Sequence, residues 1–277
     1  MLINWPALSD VEGLTKSFHA AHPFPHLVSD DFLQKPEFVS KSFPEIEWNG
    51  WRALGDAYQH NKFICSDRDL FPMEIRGIID ELSSPKFLSF LEKTTGIDKL
   101  ITDPYLEGGG LHLSTDGGIL SPHTDFHIYE RLGLYRRINL ILYLNKNWAD
   151  GDGGELELSV PGNLTPVAQI EPIEGRIVLF QTDDKSVHGF RNPVRPGTQR
   201  RSIALYYYTS EETSIFSGDQ TTHWRDHGTV RGSSKVRFLL YKILLRISRA
   251  FSIVAQIINP NQGIGLVKSR LSQRDNS

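Results

Sequence analysis

The chain has 277 residues, a formal net charge of −3, and a composition that is 39% hydrophobic, 23% charged and 10% aromatic. That length can bury one good-sized core, and the balance is that of a soluble globular protein with no electrostatic footprint for nucleic acid. A single cysteine, Cys65, excludes an internal disulfide and a thiolate-built zinc site and fits a reducing compartment.

The N-terminal stretch MLINWPALSDVEGL carries no basic region followed by a long apolar run. No stretch reaches the roughly 18 uncharged apolar residues of a membrane span. A cytoplasmic location is therefore expected. The first hundred residues read as mixed and mainly helical. Ser9-Asp10 caps a predicted short helix from Val11 to about Ala21, and His26 to Ser29 reads as a brief strand. From Asp67 to Gly96 apolar residues recur at helical spacing (Met73, Ile75, Ile78, Ile79, Leu82, then Phe87, Phe90, Leu91), interrupted at Ser84-Pro85, which predicts two helices.

Between Leu111 and Thr209 the texture changes to short β-branched and aromatic runs separated by Gly, Pro and Asp clusters. Eight strands are predicted: Leu111–Ser114, His123–Ile128, Arg137–Asn145, Glu155–Ser159, Val167–Ile170, Ile177–Phe180, Val187–Phe190 and Arg200–Thr209. So many short strands in about 100 residues predict a double-sheet jelly roll or barrel, mainly β, with the preceding helices bracing one sheet. The expected domain is 1–210, with helical support over 1–100 and a core over 105–210. Residues 211–277 form a C-terminal extension. Within it, 211–234 is polar and irregular, and Lys235 to about Ile258 is helical in pattern. Lys235, Lys242, Arg246 and Arg249 fall in one arc of that helix, with Arg237 off it and most of the rest apolar. Such a helix suits a membrane surface, but packing on the barrel or on a second subunit, as in a homodimer, is the plainer expectation.

The chemistry concentrates in SPHTDFH at 121–127 and SVHGF at 186–190. Side chains alternate along a strand, so His123 and Asp125 share a face. A third ligand must come from elsewhere in the fold, and His188 opens a strand in a similar apolar setting. Two imidazoles and a carboxylate on one side of a metal leave positions open for cosubstrate and O₂, the ligand pattern of iron(II) oxygenases. His127 lies on the same face as His123 and Asp125, but three ligands on one straight strand span about 13 Å, too far to share one metal. His19, His60 and His112 have no such context and are read as structural.

The last predicted strand, QRRSIALYYYT, alternates Arg200, Ser202, Ala204 and Tyr206 against Arg201, Ile203, Leu205 and Tyr207. The face of small residues can leave room for a ligand inside a barrel, so Arg200 is expected to point inward. An inward arginine needs an anion, either a dicarboxylate cosubstrate suited to its planar fork or a structural Asp or Glu. Tyr143 shares a strand face with Asn139 and Ile141. A phenol there can donate to the same carboxylate or serve as a core tyrosine.

The stretch from about 105 to 209 resembles the prolyl-4-hydroxylase-like branch of 2-oxoglutarate/iron(II)-dependent dioxygenases. The resemblance rests on PHTDF, on ILYLNKNW at 141–148 followed by GGELEL at 153–158, on EGRIVLFQT at 174–182, and on VHGF followed by RRSIALYYY. PFPHLVSDDFL near the N-terminus is similar to the opening strand of this group. The resemblance implies a double-stranded β-helix with His123, Asp125 and His188 as iron ligands. It also implies Arg200 gripping the distal carboxylate of 2-oxoglutarate, helped by Tyr143. Fe(II), 2-oxoglutarate and O₂ would be required, with ascorbate as an optional auxiliary. Oxidative decarboxylation to succinate and CO₂ would then drive hydroxylation of a C–H bond, and a carboxylate at 125 favours hydroxylation over halogenation. Some relatives have a second tyrosine ten residues before the first ligand, where this chain has Leu113.

Three other readings stand beside this one. The same triad could serve a zinc or other divalent-metal hydrolase, which leaves Arg200 without a role. It could belong to a non-catalytic jelly-roll binding module, or to an oxygenase whose outcome is desaturation, epimerisation or ring formation. The substrate is open between a peptidyl proline, an amino acid and a small metabolite. Its expected selectors are Glu107–Gly110, Ile128–Arg136 and the polar stretch 211–234, with Arg131, Arg136 and Arg137 read mainly as a solvated rim.

Overall fold

Two-residue alternation organises the molecule. The computed structural model describes residues 1–163, 165–211, 222–224 and 232–258. Along Arg200–Thr209, Ile203, Leu205 and Tyr207 point outward into the main hydrophobic core, whereas Arg200, Ser202 and Ala204 point into a cavity. The neighbouring strand Leu134–Tyr143 obeys the same rule: Ile138, Leu140 and Leu142 enter the core while Asn139 and Ile141 line the cavity. Helices Val11–Ala20, Met73–Leu82 and Pro85–Thr95 cover the outer face through Phe18, Ile75, Ile78, Leu82, Phe87 and Leu91, all fully or almost fully buried. The caps are local: Asp10 accepts from the Gly13 amide, and Ser84 accepts from the Phe87 amide just before Pro85.

Among the described residues, thirteen strands form one antiparallel sheet that curls on itself. Its main path runs from His26–Ser29 through Ile177–Gln181, Leu134–Tyr143 and Arg200–Thr209 to Gly110–Thr124. It then passes to Val187–Phe190, Leu156–Ser159 and Ala168–Ile170. Gly110–Thr124 is the hinge of this arrangement. Its first half pairs with Arg200–Ala204 and its second half with His188–Phe190, with Gly117 between them in the left-handed region at φ 70°. The result is the double-stranded β-helix, mainly β, with helices on one flank. A smaller cluster, Phe24, Tyr143, Leu156, Leu158, Ile170, Val178 and Phe180, fills one end of the barrel interior.

Several expectations are corrected. Leu111–Ser114 and His123–Ile128 are not two separate strands. One strand of 15 residues spans the first and reaches Thr124, so Asp125 lies just beyond its end. The mainly helical reading of the first hundred residues missed a hairpin, Arg52–Leu54 with Gln59–Cys65, whose second strand pairs with Gly110–Thr124. Gln59, His60, Asn61 and Lys62 give that strand no apolar alternation, because its inner face lines a polar cavity rather than a core. His223–Trp224, within the stretch read as irregular, pairs with Thr124 and His123.

The C-terminal helix spans Gly232–Ile258. Its described apolar side chains, among them Leu240, Leu244, Phe251 and Ile257, are exposed, so the expected packing against the barrel is not made by them. Arg246 is exposed too, while the side chains of Lys235, Lys242 and Arg249 lie outside the described residues. Among the described residues no helix is long and apolar enough to cross a membrane.

Candidate metal centre

The register of two strands builds the centre. His188 on Val187–Phe190 stands directly opposite His123 on Gly110–Thr124, and Asp125 follows two residues later. One ligand atom from each of the three lies within 4.8 Å of the others. Each His Nε2 is 3.5 Å from an Asp125 carboxylate oxygen. Close approach of the strands requires Gly189 beside His188, since a Cβ there would sit 2.6 Å from the Leu120 carbonyl oxygen. Both imidazoles are oriented by backbone carbonyls: His123 Nδ1 is 2.9 Å from the Ser121 oxygen and His188 Nδ1 is 3.0 Å from the Ser186 oxygen. With Nδ1–H donating in each case, both Nε2 lone pairs face the shared point, the orientation metal-binding histidines require.

The charges suit the same purpose. Asp125 Oδ2 accepts from Arg136 Nη1 at 2.9 Å and from Asn139 Nδ2 at 2.6 Å. Burial pushes the Asp125 carboxyl up, but Arg136 and the two imidazoles outweigh it and hold the group well below the ordinary carboxylate range. Burial also pushes His188 down to about 4, so its ring is neutral at pH 7. Two imidazoles and one ionised carboxylate, buried and aimed at one point, fit a divalent transition metal.

Arg200 is buried and faces the same cavity, which has a volume of about 260 Å³. Its Nε donates to the Gly154 carbonyl at 2.7 Å and one terminal nitrogen donates to the Tyr143 hydroxyl at 3.0 Å. Its guanidinium also stacks on Phe190, 4.3 Å from the ring centroid. Among the described residues no carboxylate lies within ion-pair distance of Arg200, so the alternative of a structural Asp or Glu partner is not realised there. Tyr143 itself is fully buried, its ring in the interior cluster and its hydroxyl on Arg200.

The remaining candidates separate clearly. His127 is not in the metal cluster; its Nδ1 lies 3.3 Å from Asp184. Leu113 points into the main core. His112, read as structural, instead lines the cavity, as does Lys62, a residue no motif had marked. Arg136 is not part of a solvated rim: it is 1% exposed and lies between the Phe126 and Tyr206 rings. Arg131 stacks on Tyr105, and the Arg137 guanidinium reaches Thr209 at 3.4 Å. Trp224 lines the cavity, its ring 4.8 Å from the His123 ring and stacked on Tyr58 at 5.3 Å. Of the expected selectors, Gly108, Arg136, Thr222 and Trp224 line the cavity, whereas most of 211–234 lies outside the described residues.

Residues 109–208 match the family model of the 2OG-Fe(II) oxygenase superfamily. The matched segment is the jelly-roll core, which is thus similar to a superfamily whose members use Fe(II), 2-oxoglutarate and O₂. The chain is 35% identical over 88 residues to the prolyl hydroxylase EGLN3 of Mus musculus, a match covering 31% of this chain and 35% of that protein. The match thus spans about a third of the length of the curated relative. Among solved structures, HygX from Streptomyces hygroscopicus with nickel, 2-oxoglutarate and hygromycin B bound superposes with a TM-score of 0.50 at 13% identity. That superposition covers 78% of this chain and 99% of HygX. The epimerase SnoN, in complex with Fe³⁺, alpha-ketoglutarate and nogalamycin RO, gives a TM-score of 0.50 at 11% identity, covering 79% and 88% of the two chains. These two likenesses concern the fold.

Proposed function

We propose that this chain is a 2-oxoglutarate-dependent hydroxylase, coupling oxidative decarboxylation of 2-oxoglutarate to succinate and CO₂ with hydroxylation of a C–H bond. The observation that carries the proposal is Arg200, a buried cation with no carboxylate partner among the described residues, facing the same cavity as His123, Asp125 and His188. A hydrolase would use the triad and leave that cation without a task, at considerable cost. In this reading His123, Asp125 and His188 hold Fe(II), which supplies the activation of O₂. Arg200 and Tyr143 hold the far carboxylate of 2-oxoglutarate. Arg136 and Asn139 fix Asp125, and the aromatic wall of Phe126, Tyr206 and Trp224 limits water at the reacting centre.

The substrate class is a small molecule or a peptide, and the likeness to a prolyl hydroxylase makes a peptidyl proline the first to test. The same cofactor chemistry ending in desaturation, epimerisation or cyclisation is the alternative outcome. The exposed apolar side chains of Gly232–Ile258 support a further role for that helix as an association surface, taken by a membrane surface or a second copy of the chain. The proposal is tested by incubating the purified protein with Fe(II), 2-oxoglutarate and O₂ and measuring succinate. Slow uncoupled succinate formation, accelerated by proline-containing peptides or amino acids from a panel, is the expected result. No succinate under any condition would overturn the reading.

A further inference from the structure

The inner face of the cavity wall carries a second cation. Lys62 stands directly opposite Ser114 on one side, and Arg200 stands opposite the same Ser114 on the other. The three form a row across three neighbouring strands. Two residues along, Ile64, His112 and Ser202 form a parallel row, and all six residues line the cavity. The row between them belongs to the opposite face: Phe63 and Leu113 turn to the main core. Pleating therefore fixes Lys62 and Arg200 on one face, with the backbones about 10 Å apart across two strand spacings. Both side chains are long enough to converge above Ser114.

No carboxylate lies within 4 Å of Lys62 among the described residues. Asp125 and Asp56 act on it only at longer range, and Asp56 is already engaged by Gln59 and by the amides of Tyr58 and Gln59. His112 is held well below its ordinary value by burial and by Lys62 and Arg200, so it is a neutral neighbour. Two cations converging on one hydroxyl and one neutral ring, without a protein anion, leave a charge imbalance. A carboxylate seated between them would remove it with charge-assisted hydrogen bonds on both sides.

We propose that Lys62 is a second cationic residue for the far carboxylate of 2-oxoglutarate, gripping it from the side of Ser114 opposite Arg200. The assignment rests on the cosubstrate reading above and names a specificity-determining residue that the ligand motifs do not contain. It predicts that the strand Gln59–Cys65, outside the matched family segment, helps define which 2-oxoacid is accepted.

The test uses the full chain loaded anaerobically with Fe(II), following the visible charge-transfer band on titration with 2-oxoglutarate. 2-Oxopentanoate, which lacks the far carboxylate, is titrated as the second probe. Lys62→Met is expected to weaken 2-oxoglutarate binding about tenfold while leaving 2-oxopentanoate and iron binding unchanged, with Lys62→Arg restoring most of the loss. Lys62→Gln, which keeps polarity, guards against a folding defect and is expected to behave like Lys62→Met. Unchanged 2-oxoglutarate affinity in both variants, or equal losses for the two acids, would overturn the assignment. Arg200→Met separates the two layers. If it weakens 2-oxoglutarate binding and Lys62→Met does not, only the Lys62 assignment fails. If neither variant has an effect, or the wild type gives no band, the cosubstrate reading itself fails.

Discussion

Replacing Arg136 by Met tests how the structure holds the carboxylate of the proposed metal centre. Arg136 lies 2.9 Å from Asp125, and the two side chains are 1% and 10% exposed. Removing one partner of a buried pair leaves an uncompensated charge and costs roughly 3–5 kcal/mol. Asp125 keeps its bond from Asn139 at 2.6 Å, so the lower end of that range applies to the metal-free protein. At about 2–4 °C per kcal/mol for a domain of this size, the midpoint of thermal unfolding should fall by roughly 6–12 °C. A divalent metal supplies the missing positive charge, so Mn(II) should recover more stability in the variant than in the wild type. The pH dependence has a defined sign. In the wild type Asp125 is held well below its ordinary value, so its contribution is present above the usual carboxylate range and is lost as pH falls through the depressed value. The gap between wild type and Arg136→Met should therefore narrow on acidification. Urea unfolding at several pH values, with EDTA or with Mn(II), measures all of this. A variant as stable as the wild type without metal, or equally destabilised with and without it, would refute the reasoning.

The other predictions follow from the ligand set and the C-terminal helix. His123→Ala, Asp125→Ala and His188→Ala should each abolish turnover and weaken metal binding, measured by equilibrium dialysis with Fe(II) or Mn(II). His127→Ala should leave metal binding intact, because its ring pairs with Asp184 rather than with the triad; an equal loss would show the ligand choice to be wrong. Deleting 232–277 should preserve Fe(II) and 2-oxoglutarate binding while abolishing association read by sedimentation or by flotation with anionic vesicles. A full-length chain that is monomeric and ignores such vesicles would remove the proposed surface. Lys62 is held near 8, chiefly by burial and by Arg200, with His112, Asp125 and Asp56 as its other charged or titratable neighbours. Affinity for 2-oxoglutarate should accordingly fall above about pH 8 in the wild type, and the fall should be flatter in Lys62→Met.

Much of the fold was legible in the sequence because burial left a periodic trace. The alternation of Arg200–Thr209 told the core face from the cavity face, and Ser84-Pro85 marked the break between two helices. His26–Ser29 and Val187–Phe190 were legible to the residue, as short apolar runs between turn signals. The hairpin Arg52–Cys65 was not, because a strand that faces a polar cavity carries polar residues and loses the alternation that betrays a core. The same cause hid Lys62 and His112, whose value depends on register with Ser114 and Ser202 rather than on any local pattern. Arg136 resembled a surface arginine beside Arg131 and Arg137, since only the third dimension brings Asp125, Phe126 and Tyr206 around it. Trp224 falls in the stretch 211–234 expected to select substrate, but its pairing with His123 spans a gap of about 100 residues that no nearby spacing signals.

The central claim is that one cavity binds Fe(II) through His123, Asp125 and His188 and 2-oxoglutarate through Arg200. The most direct measurement adds Fe(II) and then 2-oxoglutarate to the protein under anaerobic conditions and records the visible spectrum. A weak charge-transfer band that appears only with both, saturates with 2-oxoglutarate and is lost in His188→Ala is the predicted result. A protein that binds Fe(II) yet shows no band at saturating 2-oxoglutarate would contradict it.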